Sequence, residues 1–513
     1  MPNNSEGLKR LLQADTRPDT GISPAGSSFL VPGLTVLHHP DATRAGERVA
    51  LTGLASGREA LLSRSEPAFS QPGQHLQRPL ADPRLSRRPI RLLPGVEPGG
   101  LRLLRGDSGT AVSVNGEPVA GERDLSAAEV EQGAVLLLAN RVVVVLSLID
   151  PSASGLPGFG LIGESAPMLR LRQEIRRVAG LDIPVLLRGE TGTGKELAAR
   201  ALHDAGPRRG RLYLAVNMAA VPPTLAAAEL FGAARGAYTG ADRKRDGYFQ
   251  RADGGTLFLD EVGETPPEVQ ALLLRALETH EVQPVGSDEP RRVDVRLIAA
   301  TDSDLESAIG SGTFRAPLLH RLAGYEIHIP PLRRRRDDLG RLFYFFLRQE
   351  LEELGEEGRL AASPEERSWI PAPLVARLAL FDWPGNVRQL RNLVRQIVIA
   401  GRDAGEAGMW LPVDRLLQDT ARPVAPPDET RPPQEEIRRT YRSPEEVSDD
   451  ELLGALRANR WRIQRAAEAL GISRGSLYDR IEKSVRIRKA ADLSREEILG
   501  CLERCGGDLD AMV

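Results

Sequence analysis

Residues 189–196 read Gly-Glu-Thr-Gly-Thr-Gly-Lys-Glu, and few stretches this short restrict a fold so tightly. The apolar run Val185-Leu186-Leu187 precedes them and the helical pattern Leu197-Ala-Ala-Arg-Ala-Leu202 follows. A strand, a glycine-rich turn and a helix in that order make a cradle for phosphate. The glycines let backbone N–H groups approach anionic oxygens, the helix N-terminus favours negative charge, and the lysine reaches the outer phosphates. Gly189, Glu190, Thr191, Gly192, Thr193, Gly194, Lys195 and Glu196 are therefore the expected nucleotide-binding residues. Such loops usually carry Ser or Thr after the lysine, where this chain has Glu196.

Two further apolar runs end in polar residues suited to the same chemistry. Gly254-Gly-Thr-Leu-Phe-Leu-Asp260-Glu261 is a strand closing on two carboxylates. Asp260 can organise Mg²⁺ and its waters, and Glu261 can polarise the water that attacks a γ-phosphate. Val295-Arg-Leu-Ile-Ala-Ala ends at Thr301-Asp302, where a γ-phosphate sensor would sit. Strands alternating with helices predict a parallel sheet with the ligand at the strand C-terminal ends. Further on, Arg315 and Arg321 stand six apart, about 240° around a helix, so they fit two roles or two subunits. Arg388, in Trp383-Pro-Gly-Asn-Val-Arg388, opens a helix through Ile397 and could lean onto the nucleotide from a lid.

A chain of 513 residues exceeds one core, and ~150 residues per domain predicts three or four. Residues 1–28, rich in Gly, Pro and Ser, predict a disordered tail. Residues 29–150 hold short apolar runs broken by Gly and Pro, the pattern of an all-β sandwich. The Pro- and charge-rich stretch 413–446 predicts an extended linker. In 447–489, a helix, a turn at Gly471, an N-cap at Ser473 and a second helix predict a helix-turn-helix, with Arg474, Ser476, Tyr478 and Arg480 able to reach DNA. Formal net charge is −3, so any DNA contact must come from a local patch. Cys501 and Cys505, the two cysteines, read as helical thiols in a reducing compartment. The start Met1-Pro-Asn-Asn-Ser-Glu lacks an apolar core for a signal peptide, and no apolar run approaches the ~20 residues of a membrane span. The expectation is a cytoplasmic protein without membrane contact.

Two resemblances organise these readings. Gly57-Arg58, Asp82-Pro-Arg-Leu-Ser86-Arg87 and Val114-Asn115-Gly116 resemble loop signatures of the forkhead-associated (FHA) domain, a phosphothreonine-binding sandwich. The resemblance implies that Arg58, Ser86 and Arg87 bind phosphate on a phosphothreonine-containing protein, placed there by a Ser/Thr kinase. The family's histidine falls near Pro89 and its Asn-Gly-Thr loop reads Asp107-Ser-Gly-Thr110, so a sandwich that reads a protein surface without phosphate stays open.

From about Leu161 to Arg402 the chain resembles the AAA+ domain of sigma-54-dependent transcriptional activators, the NtrC-type enhancer-binding proteins. The carrying element is Glu229-Leu-Phe-Gly232 followed by Gly236-Ala237-Tyr238-Thr239-Gly240-Ala241, the family's sigma-54-contacting loop. The resemblance implies an AAA+ α/β core over 161–330, an α-helical lid over 331–403 and a C-terminal all-α Fis-type helix-turn-helix. Residues 493–513 echo the beginning of a second Fis-like unit. It further implies ATP and Mg²⁺, and a homo-oligomeric ring, typically a hexamer. Sigma-54 RNA polymerase holoenzyme and upstream enhancer DNA would be the partners. Asn217 would restrain Glu261 until the partner is engaged, Arg315 and Arg321 would act in trans, and the loop from Gly286 would be a second pore loop.

Three departures bear on turnover. Tyr238 replaces Phe, Asp302 replaces Asn near the phosphates, and Pro317 replaces Asp where it could bend the helix after Arg315. They keep open a regulator that binds DNA with an AAA+ fold but does not engage sigma-54 or hydrolyses ATP poorly.

Overall fold

The computed structural model describes residues 30–151, 157–237, 243–360, 368–421, 447–459 and 463–472, with 476–477, 480–481 and 484. The expected tail, the second Fis-like unit and most of the linker lie outside them. The chain forms two compact units, Met1–Ala421 and Arg422–Val513.

Ten strands build the N-terminal sandwich. They are β1 (Val31–His38), β2 (Arg48–Ala50), β3 (Ala60–Leu62), β4 (Ile90–Pro94), β5 (Leu101–Leu104), β6 (Val112–Val114), β7 (Glu117–Pro118), β8 (Glu122–Leu125), β9 (Ala134–Leu138) and β10 (Val142–Ile149). One sheet runs β2-β1-β10-β9-β6-β7 and the other β3-β4-β5-β8, with antiparallel pairing. Short helices at Thr52–Ala55 and Ala127–Gln132 lie between the strands. Alternate side chains of β10 serve two cores, because successive residues of a strand point to opposite faces. Val142, Val144 and Leu146 join Leu34 and Val36 inside the sandwich. Val143 and Val145, with Leu37 and Val135, face outward into a second core.

That second core belongs to the helical lid. After the turns at Leu332–Arg334 and Arg336–Asp338, the lid comprises α1 (Leu339–Glu353), α2 (Ala372–Ala379) and α3 (Asn386–Ala421, broken at Gly405 with φ 59). Leu339, Phe343 and Leu347 of α1 and Val375 and Ala379 of α2 pack with the outward valines. Gly340 permits the approach, since a Cβ there would lie 2.4 Å from Leu37 O. The fully buried His38 Nδ1 lies 2.6 Å from the Tyr344 hydroxyl at this seam. The linker expected from 413 starts later: Val413 is fully buried and the helix runs to Ala421.

Between sandwich and lid in sequence lies a parallel sheet ordered β12-β13-β16-β11-β17. Its strands are β11 (Val185–Arg188), β12 (Tyr213–Asn217), β13 (Thr256–Asp260), β16 (Arg296–Thr301) and β17 (Tyr325–His328), beside a small hairpin of β14 (Glu281–Val282) and β15 (Arg291–Arg292). Pro317 does not bend its helix, which spans Ala316–Leu322. It occupies the first turn, where no N–H partner is lost. In the second unit, helices Asp449–Ala458 and Ile463–Leu470 pack Leu452, Leu456, Ala466 and Ala467 together with Ile472 and Leu477. Among the described residues no helix is long and apolar enough to cross a membrane.

Candidate nucleotide-binding site

Strand register brings the polar strand ends together. Arg188 pairs with Thr301 and Asn217 with Asp260, so the glycine-rich loop, both carboxylates and Asp302 share the C-terminal edge of the sheet. Gly192 and Gly194 adopt φ 77 and 104, conformations that other residues reach only with strain. Lys195, nearly buried, donates to Gly189 O at 3.1 Å and lies 3.3 Å from Glu261 Oε1. Glu261 is itself left-handed at φ 52. Burial pushes its carboxyl above the usual carboxylate range, Lys195 opposes that, and a hydrogen bond with Asp302 adds to the rise. Asp260 accepts the Glu261 N–H at 3.1 Å through Oδ1. Its Oδ2 has no partner among the described residues, so a hard carboxylate oxygen faces the site.

Beside the loop lies a cavity of about 330 Å³ walled by Leu161, Ile162, Met168, Leu197, Phe345 and Val387. Apolar walls next to a phosphate cradle suit a planar base. The lid closes the other side. Arg388 Nη1 donates to Thr191 Oγ1 at 3.3 Å, so this lid residue lies against the glycine-rich loop. Two lid residues escaped the sequence reading. Asn386, fully buried, donates to Glu190 Oε2 and to Thr191 O, both at 3.1 Å. Arg333 grips the Glu190 carboxylate with both Nη atoms and holds its pKa below the usual range. Their signal was thin: one asparagine in Trp-Pro-Gly-Asn and one of four consecutive arginines.

Other expected residues fall in distinct places. Asn217 Oδ1 accepts the Ala219 N–H at 2.9 Å, and Glu261 is engaged instead by Lys195 and Asp302. Exposed Arg315 opens the helix Ala316–Leu322 with its N–H on Gln270 Oε1. Arg321 donates to Leu277 O and lines a hollow with Ile183, Pro184 and Val295, at the strand starts opposite the cradle. The two arginines do not converge on this chain's own loop.

Gly236 and Ala237 close the described base of the finger-like loop Gly236–Ala241, while Tyr238, Thr239, Gly240 and Ala241 lie outside the described residues. That base is tied to the second loop: Ala234 N donates to Val285 O, and Gly286 abuts Ala237 so closely that a Cβ would lie 2.9 Å from its own.

On the sandwich, the expected phosphate trio divides. Gly57-Arg58 is a turn ending a short helix, with φ 76 at Gly57 and Arg58 N on Gly53 O. It precedes β3, whereas Ser86 meets the far end of that strand, where Arg64 N donates to Ser86 O at 3.0 Å. Arg58 thus lies before β3, and Ser86 lies beside the residues that follow it. Arg64 is the arginine beside Ser86, and the signal for it was Ser63-Arg64-Ser65 directly after Leu62. Exposed Arg87 follows Ser86, whose N–H donates to the buried Thr110 Oγ1. In the second unit Arg480 donates to Val447 O at 2.7 Å and to Asp449 Oδ1 at 3.2 Å. Ser476 is half-buried, and Arg474 and Tyr478 lie outside the described residues.

A parallel sheet, a glycine-rich phosphate cradle with paired carboxylates and a helical lid define a P-loop nucleotide-binding domain. Comparison with protein families narrows it. Residues 161–328 match the sigma-54 interaction domain, 333–409 the AAA+ ATPase lid domain and 443–483 the Fis family of bacterial regulatory proteins. The chain therefore carries a sigma-54 interaction domain of an ATPase family with its lid, and a Fis-type helix-turn-helix. It is 44% identical over 242 residues to the regulatory protein LuxO of Vibrio cholerae, covering 47% of this chain and 44% of that one. It is 46% identical over 243 residues to the DNA-binding transcriptional regulator NtrC of Escherichia coli, covering 47% and 50%. The chain thus spans about half the length of these curated relatives. A crystal structure of NtrX from Brucella abortus in complex with ATP is 31% identical, with a TM-score of 0.43, covering 63% of this chain and 68% of that one.

Proposed function

We propose that this chain is a cytoplasmic activator that binds upstream DNA through its Fis-type unit and spends ATP to remodel sigma-54 RNA polymerase into an open promoter complex. The carrying observation is the cradle after β11 and the Asp260-Glu261 pair closing β13 on the same edge of one parallel sheet, inside a segment matching the sigma-54 interaction domain. Lys195 would move from Glu261 onto the outer phosphates, freeing Glu261 to take a proton from the attacking water. Asp260 would hold Mg²⁺ through its open oxygen, and the ion when bound supplies charge neutralisation between phosphates. Asn217 would restrain Glu261 before the partner engages, and Arg388 would sense the bound nucleotide.

Arg321 is held on Leu277 O at the strand starts and exposed Arg315 stands at the start of its helix, which supports a homo-oligomeric ring, a hexamer in this reading, with one subunit completing the next. An arginine in trans is worth roughly 10³–10⁵ in rate. The finger Gly236–Ala241 would contact sigma-54, and the hydrogen bonds between its base and the second loop would carry motion to it. The sandwich would act as an FHA-type sensor of a phosphothreonine protein, using Arg64, Ser86 and Arg87.

The test is promoter opening by sigma-54 polymerase with the full chain, with and without ATP, beside Thr239→Ala. Opening that needs ATP and is lost in the variant supports the activator. DNA binding without opening supports the alternative, a regulator that does not remodel, which the contact of Asp302 with Glu261 favours.

A further inference from the structure

The lid does more to the phosphate loop than cover it. In a peptide plane the C=O and the following N–H point in opposite directions, so whatever pins a carbonyl also aims the next N–H. Thr191 O is taken by Asn386 Nδ2 at 3.1 Å, which turns the Gly192 N–H the other way. Thr193 O is taken by buried Arg335 Nη2 at 3.3 Å, which does the same for Gly194 N–H. Gly194 O accepts from Ala198 N at the helix start, freeing the Lys195 N–H. No acceptor among the described residues takes the N–H of Gly192, Gly194 or Lys195. These donors converge as an anion nest, and two of the three are aimed by lid side chains.

Glu190 presents a second problem that the lid resolves. A carboxylate inside a loop built for a polyanion would repel its ligand. Arg333 takes both oxygens and Asn386 donates to Oε2, so the charge is compensated and held on the carbonyl side. Asn386 is engaged through both amide atoms: its Oδ1 accepts Leu332 N at 2.8 Å while both Nδ2 donors serve Glu190 and Thr191. It is fully buried and left-handed at φ 51, a conformation asparagine tolerates better than most residues.

We infer that Asn386, latched with Arg333 onto Glu190, is a positioning residue that shapes the phosphate-binding N–H edge, making nucleotide affinity a joint property of loop and lid. The inference rests on the nucleotide-binding reading above. Asn386→Asp keeps the shape and the bond from Leu332 N, removes both donors, and sets a second carboxylate against Glu190. Glu190→Gln with Asn386→Asp restores one bond with reversed polarity, because the new amide can donate to the new carboxylate.

The experiment measures binding of a fluorescent ATP analogue to the full-length chain. It also measures amide hydrogen exchange of the peptide covering 189–197 without nucleotide. Asn386→Asp is expected to weaken binding roughly ten- to hundredfold and to speed exchange at Thr193, whose N–H donates to Glu190 O, while Glu190→Gln/Asn386→Asp regains about tenfold. Unchanged exchange and affinity in Asn386→Asp, or no recovery in the double variant, would overturn the inference. If Asn386→Asp does not fold, Glu190→Gln alone decides: faster exchange in this loop supports the latch and unchanged exchange refutes it. A wild-type chain that binds no analogue while its loop exchange responds to the variants would sink the nucleotide reading and leave the positioning intact.

Discussion

Gly192 of the phosphate loop lies beneath the carbonyl oxygen of Gly385 in the lid, so closely that a Cβ on it would come within 2.3 Å. Gly192 also sits at φ 77, where a side chain costs roughly 1–2 kcal/mol. Gly192→Ala is therefore expected to push loop and lid apart and to weaken ATP at least about tenfold, with the fold retained. Isothermal titration beside a thermal melt checks both parts. Wild-type affinity would show that the approach has no consequence.

Asp302 raises the Glu261 carboxyl, so its removal has a definite sign. A base must be deprotonated, and its activity falls as pH drops through its own pKa. Asp302→Asn removes a negative charge and lets Glu261 ionise at lower pH. The acidic limb of the ATPase profile should shift downward relative to wild type. A limb that stays in place would mean another group sets it.

Burial holds His38 at about 3, with help from His39 and Arg141, and burial then Arg44 hold His39 at about 4. Both folded values lie below the unfolded value near 6.5. The unfolded chain thus takes up protons that the native chain refuses, and stability present above that pH is lost as pH falls. Between pH 7.5 and 5, His38 alone should cost about 2 kcal/mol. Urea unfolding at the two pH values measures it, and His38→Gln should flatten the dependence.

Gly340 is where the lid touches the sandwich backbone. Gly340→Ala would drive a methyl into Leu37 O and is expected to destabilise the first unit by about 1–3 kcal/mol. A thermal melt beside wild type measures it. A melt identical to wild type would contradict the packing.

Arg64→Ala should abolish phosphothreonine-peptide binding by the sandwich and Arg58→Ala should leave it intact, as read by fluorescence anisotropy. The reverse result would return the site to the turn at Gly57.

Much of this architecture is legible in short-range pattern. The unbroken run Val142–Leu146 announces a strand buried on both faces, and the strand ends at Lys195, Asp260 and Thr301 announce the sheet edge. What is not legible depends on a partner distant in sequence. Nothing local tells Asn386 that it will meet Glu190, nor which of four arginines will. Gly57-Arg58 is ambiguous in sequence because a helix-ending turn uses the same glycine as a binding loop. Pro412 and the charges after it read as linker, yet buried Met409 and Val413 keep that segment on the lid.

The outward valines of β10 carry a lesson about exchange of parts. A module that moves freely between proteins needs a self-sufficient surface, and this sandwich lacks one. Among the described residues its outer sheet face is covered by the lid's helices, which bury part of their own apolar surface on it. A sensor grafted here from another regulator would have to bring matching lid helices. Any lineage that replaced one without the other would expose an adhesive shelf of valine and leucine. Inheritance, in this chain, acts on sandwich and lid as a pair.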